Sequence, residues 1–384
     1  MKKRMIWMLT LLCTVVQGIW AQTIVSTEKQ LTDAIAEGDK NIQLTGDIQL
    51  SKYLDIDGKT VTIDLYGHKL SRNLGSHSST GHVIWAHNGS DLTLKSSKAG
   101  GSIEGGKANN GGAIHIPYGN TVTATNVTFQ NNSAADHAGA IWNNGTLKAT
   151  DCTFANNRAD DVGAIYNSKT DSGCGTASLK NCTFTGNVGD TGAGALANAI
   201  GNTVMTIDGC TIQDNTADSN GGGIWNGGTL NMQGAVKVTG NKRTSGSASN
   251  VFLKTGKVIT VTGDLTGSTI GIDLENISGT FANGWDGKNP SGIFTADFSN
   301  DLTVDLEGNE ACVTTKNPVC YIERSWDATN KRVVSTEKRM VGFKIDGEDI
   351  PREGEYKEVT NAPGDSPNEW FRMGGYSNMT FSFI

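Results

Sequence analysis

Apolar and polar residues alternate in short runs along most of the chain, and turn-forming residues separate the runs. One stretch shows the pattern in full. Ala140-Ile141-Trp142-Asn143 is followed by Thr146-Leu147-Lys148-Ala149 and then by Cys152-Thr153-Phe154, with Asn144-Gly145 and Thr150-Asp151 between them. Alternation with a period of two over so few residues predicts short strands, and the intervening Asn, Asp and Gly predict tight turns. Ile141 and Asn143 then point to one face, and Ala140 and Trp142 to the other.

The unit recurs. Gly112-Ala113-Ile114, Gly139-Ala140-Ile141, Gly163-Ala164-Ile165, Gly194-Ala195-Leu196 and Gly222-Gly223-Ile224 align on an apolar anchor, at steps of 27, 24, 31 and 28 residues. Ile84-Trp85 stands 30 residues before Ile114 and lacks the glycine. A second motif follows in phase: Phe129 with Asn132, Phe154 with Asn157, Phe184 with Asn187, Ile212 with Asn215 and Val238 with Asn241. Strands this short cannot bury a core alone, but coils stacked at ~4.8 Å pair into parallel sheets around one continuous interior. The pattern predicts an all-β, right-handed parallel β-helix with three short strands per coil, spanning 46–335, with the clearest repeats at 84–241. Helical spacing of Leu31 and Ile35 within Ser26 to Glu37, ending before Gly38, predicts a helix in an amino-terminal cap over 22–45. Residues 336–384 are more charged, contain Pro351, Pro363 and Pro367, and are expected to form a tail or a small extra module.

In-register stacking turns equivalent positions into vertical files. Asn143, Asn167, Asn198 and Asn226 form one, and the Phe-x-x-Asn asparagines another; such files can bond amide to amide, as in cross-β ladders. The file Val127, Cys152, Cys182, Cys210, Val236 alternates thiol with valine, so the cysteines read as small buried hydrophobes rather than zinc ligands. The leading glycines are expected to allow a sharp turn into each strand.

Composition agrees with frequent turning: 49 Gly against 6 Pro, with 18% charged residues. Lys2, Lys3 and Arg4 precede an apolar run from Met5 to Val16, and Ile19-Trp20-Ala21 offers a cleavage point, so 1–21 reads as a signal peptide. No other 18-residue apolar stretch exists, so no membrane span is expected after its removal. The formal charge of −7 becomes −10 once those three cations leave, and no Lys/Arg cluster remains, which disfavours nucleic acid and anionic lipid. Six cysteines stay; Cys312 and Cys320 are the better disulfide candidates, and Cys174 falls in a long loop.

At these residues, Gly111-Gly112-Ala113-Ile114 with Phe129-Gln130-Asn131-Asn132 and weaker copies through Asn241, the chain resembles the chlamydial polymorphic outer membrane protein repeat over about 105–241. More broadly it resembles right-handed β-helix, pectin-lyase-like surface proteins of Gram-negative bacteria. The resemblance implies export, display at the cell surface or outer membrane, and adhesion. Those proteins also carry a translocator barrel, for which this sequence shows no strand series, so autotransport is not expected here. The fold also hosts polysaccharide lyases and hydrolases, and by itself decides no function.

Candidate chemistry lies on the outward slots beside the anchor. Ala113, Ala140, Ala164, Ala195 and Gly223 precede it, and Trp85, His115, Trp142, Tyr166, Ala197 and Trp225 follow it. A lyase needs a basic residue and often carboxylate-held Ca²⁺, and a hydrolase needs paired carboxylic acids; these slots hold none of these. Trp85, His115, Trp142, Tyr166 and Trp225 form an aromatic row that either stacks on sugar rings or packs along the sheet beneath covering loops. Asp136, Asp160, Asp161, Asp190 and Asp218 precede the glycine motifs and read as solvated turn residues, with a Ca²⁺ row the alternative. The six histidines, His68 to His137, show no ligand spacing and read as scattered surface residues. The first expectation is therefore a non-enzymatic, adhesin-like or glycan-contacting scaffold with no cofactor and no metal, its partner a host-cell or matrix glycan or protein. A polysaccharide lyase or glycoside hydrolase is the second, and a structural passenger of an envelope assembly the third.

Overall fold

The structure is a computed structural model that describes residues 22–275, 279–284 and 293–297, with the backbone of six further strand segments between 302 and 349. The expected signal peptide, Cys320 with its bridge to Cys312, and most of 336–384 lie outside the described residues. The chain forms a right-handed parallel β-solenoid of repeating strand triplets. A representative coil runs through strands Ile141–Asn143, Thr146–Thr150 and Thr153–Ala155, then a fourth, two-residue strand Arg158–Ala159, and re-enters at Ile165–Asn167. The fourth strand is an addition to the expected three. Six coils carry one, and together they make a small parallel sheet of their own.

Register is strict. Ile84, Ile114, Ile141, Ile165, Leu196, Ile224 and Val251 pair in succession, so the anchor residues form one file. Phe129, Phe154 and Phe184 form another, their rings stacked at 4.9 and 4.7 Å, about one coil spacing. Both files point into a single core that also holds Cys152, Cys182 and Cys210 as buried free thiols beside Val127 and Val236.

Polar files are satisfied internally. Asn132 Nδ2 donates to Asn157 Oδ1, and the chain continues through Asn187, Asn215 and Asn241 to Asn250, with steps of 2.8 to 3.1 Å. Each of these oxygens also accepts a backbone N–H from the preceding member, for example Asn157 N to Asn187 Oδ1 at 3.0 Å. The last members, Asn250 N and Nδ2, donate to the Asp297 carboxylate. The second file, Asn143, Asn167, Asn198 and Asn226, is linked the same way at 2.8 to 2.9 Å. It starts abruptly because Ile116, not an amide, pairs with Asn143 in the coil before, which leaves Asn143 Oδ1 without a donor.

Two turn files explain the corners. Asn131, Asn156, Gly186, Asp214 and Gly240 all adopt left-handed backbone, with φ between 54° and 70°, one residue before the ladder asparagine. Gly and short polar side chains tolerate that region best. The motif glycines serve a different purpose from the one expected. At Gly139, Gly163 and Gly194 a Cβ would lie 2.0 to 2.3 Å from the carbonyl oxygen of the equivalent glycine in the next coil, so the requirement is close backbone approach rather than unusual φ.

The ends are closed differently. The helix Glu28–Glu37 is capped by the Thr27 side chain and by left-handed Gly38, and it seats Leu31, Ala34 and Ile35 on the first coil. At the far end strand Gly279–Asn283 pairs in parallel with Ile259–Val261 and antiparallel with Glu310–Thr315, which pairs antiparallel with Leu302–Glu307. A hairpin thus covers an edge that would otherwise offer free backbone groups.

Candidate functional site

The five ring residues expected to form a row do lie in one file. Trp85, His115, Trp142, Tyr166, Ala197 and Trp225 pair in register, each one position after the anchor. Alternation along the strand turns them away from the core, and all five rings are half-buried rather than open.

The neighbouring slot is not outward. Ala113, Ala140, Ala164 and Ala195 are fully buried in the main core. Strands begin at the anchor itself, as in Ile141–Asn143, so the preceding alanine sits in the corner, where strict alternation no longer applies.

The row divides into two parts. In the first, His115 meets Trp142 edge-on at 4.5 Å, lies 6.4 Å from Trp85, and Trp85 stacks on His87 at 3.9 Å. Tyr53 and His82 complete this cluster, at 4.9 Å from each other and 5.7 and 5.9 Å from Trp85. In the second, Tyr166 and Trp225 pack against Val162, Ala193 and the small Ala197 between them. The file also runs further than the glycine motif revealed. Asp55 pairs with Trp85 below, and Phe252 and then Asp273 follow Trp225 above. Phe252 was legible, since Val251 falls 27 residues after Ile224; Asp55 and Asp273 belong to coils without the motif.

Both acidic members are engaged. Asp55 accepts from or donates to His87 Nε2 at 2.6 Å, and Asp57 lies 3.8 Å from the other ring nitrogen. Asp273 is 1% exposed and takes Arg243 Nη2 at 2.9 Å. Burial pushes its carboxyl up to about 6 against the pull of Arg243. A groove of about 580 Å³ opens beside the first cluster, between the helix and Ser51 to Asp57, with Thr32, Tyr53, Asp55, Asp57 and Lys59 on its walls.

The histidines are not all surface residues. His68 faces Asp47 at 3.5 Å, His77 bonds Ser133 at 2.9 Å and His137 bonds Asp161 at 2.9 Å, but His82 is buried and His115 is half-buried in the ring cluster. The turn aspartates are tied individually, Asp190 to Arg158 at 2.5 Å and Asp218 to Thr244. Among the described residues no group of three or more His, Cys, Asp or Glu side chains is placed to hold a metal ion. No helix among them is long and apolar enough to cross a membrane.

A family model described as the Chlamydia polymorphic membrane protein repeat matches the chain at residues 126–144 and 209–227. Each match runs from a strand of the Phe file, across the fourth strand, to the next anchor strand. Comparison with curated proteins and with solved structures gives no match.

Proposed function

We propose that the chain is an exported, non-enzymatic solenoid scaffold that makes weak, repeated contacts with a glycan through the ring file Trp85, His115, Trp142, Tyr166 and Trp225. The observation that carries this reading is the in-register placement of half-exposed rings along one rigid face. Aromatic faces and edges suit the apolar sides of sugar rings, and repetition at coil spacing multiplies a contact that is individually weak. The repeat matches support a place at the cell surface, where such a scaffold would meet host or matrix sugars. Glycan-array binding tests the reading: Trp142→Ala combined with Trp225→Ala is expected to lower binding at least tenfold, and unchanged binding overturns it.

One observation favours a polysaccharide hydrolase instead. Asp273 and Asp297 are both held above the usual carboxylate range by burial, at adjacent positions near the carboxy-proximal coils. Reducing ends released from polysaccharide by the full chain, and lost in Asp273→Asn, would establish that reading over the first.

A further inference from the structure

Nine buried side-chain polar atoms among the described residues lack a hydrogen-bond partner, and they are not spread evenly. Arg72 Nε, both ring nitrogens of His82, Trp85 Nε1, Asn110 Oδ1 and Trp142 Nε1 all belong to the first three ring coils and the segments laid over them. Elsewhere the solenoid satisfies its buried amides with great regularity, so this concentration calls for an account.

His82 stands at the centre. It is 2% exposed, with Tyr53, Trp85 and His115 around it at 4.9 to 5.9 Å. The nearest full charge bonded to its backbone is a cation: Arg72 Nη1 donates to the carbonyls of Thr80 and His82, at 2.6 and 2.9 Å. The carboxylates of the neighbourhood are committed elsewhere. Asp55 and Asp57 face His87, and Glu28 accepts from Ser51 N and Oγ at 2.8 Å. A proton added to His82 or His115 would therefore enter a dry site beside Arg72 and His87 with no anion to answer it. Burial, reinforced by His115, Arg72 and His87, holds His82 at about 3, and burial followed by His87 holds His115 at about 4.

The segments above the cluster are held lightly. Residues 78–82 and 107–110 are joined by Ser78 N to Lys107 O at 3.2 Å, Lys107 N to Gly81 O at 2.9 Å and Asn109 N to Ser78 O at 3.0 Å. We propose that this ring cluster is an acid-sensitive latch: protonation of His82 and His115 parts residues 78–82 from 107–110 and uncovers Trp85 and His115, while later coils stay closed. The sign follows from linkage. Both histidines bind protons less readily closed than open, so the closed form is fully favoured above pH 6.5 and loses ground as pH falls toward 4. Each histidine that ionises only on opening raises the open population roughly 30-fold between pH 7.5 and 5.0.

Amide hydrogen exchange of the full chain at those two pH values, corrected for the intrinsic pH dependence of exchange, tests this. Peptides covering 78–87 and 107–116 are expected to lose protection by that factor or more, with 165–226 unchanged. Equal loss along the whole solenoid, or none at 78–116, overturns the proposal. His82→Phe keeps a ring and removes the proton, and it is expected to abolish most of the acid effect; an undiminished effect overturns the role of His82. Should that variant fail to fold, NMR titration of the six histidines of the unaltered chain decides: two midpoints below pH 5 support the latch, and six near 6.5 overturn it.

Discussion

At the scale of single residues, the ladder asparagines and their left-handed neighbours carry most of what is specific to this fold. Asn187 Oδ1 takes both the backbone N–H and the side chain of Asn157, and its own amide serves Phe154 O and Asn215. Asn187→Ala leaves several buried groups unpaired at once and is expected to cost about 2–4 kcal/mol, read by urea denaturation. Asn156, at φ 54°, is expected to lose about 1–2 kcal/mol as Ala and almost nothing as Gly. The ladder was visible in the sequence because one letter repeats in phase. The turn file was not, because Asn, Gly and Asp exchange freely at 131, 156, 186, 214 and 240 while the backbone region stays the same. The buried alanines were misassigned for a related reason: alternation is a property of a strand, and Ala140 lies just outside one.

At the scale of elements, stacking of very short strands leaves no slack between neighbouring coils. Gly163→Ala would place a methyl 2.0 Å from Gly194 O, so the fourth-strand sheet must shift or the coils must separate. A loss of about 1–3 kcal/mol, measured by thermal melting, is expected. The last described coils respond to pH in the direction opposite to the ring cluster. Asp273 takes up a proton more readily in the folded chain, at about 6, than it does unfolded. The strand Thr269–Leu274 is therefore expected to gain stability as pH falls through 6 toward 4, seen as slower exchange of its amides, and Asp273→Asn should flatten that response. Elements with the Gly and Phe-x-x-Asn motifs could be placed from sequence to the residue. The fourth strand could not, because two residues such as Arg158 and Ala159 are too few to show any period.

At the scale of the whole molecule, the solenoid behaves as a row of nearly interchangeable coils. Removing 141–164 joins Ala140 directly to Ile165 and preserves every file, since those two anchors pair in register. The shortened chain is expected to keep its β-sheet circular dichroism, melt cooperatively and lose roughly 4.8 Å of length by X-ray scattering. The ring file was readable from sequence as an order of residues, but its division into two clusters was not. That division depends on His82 and Tyr53, which stand off the repeat, and on covering segments whose course the motifs do not encode. The longer amide file also gives the molecule an electrical direction. Every side-chain N–H in it points toward the carboxy-proximal coils, so the small amide dipoles add head to tail and their positive end arrives at Asn250. There it meets Asp297, which can accept from that end and, while ionised, has no proton to hand onward. The file closes on a counter-charge, much as an acidic residue closes the start of an α-helix, and a neutral acceptor in its place would leave that accumulated polarity facing an uncharged neighbour.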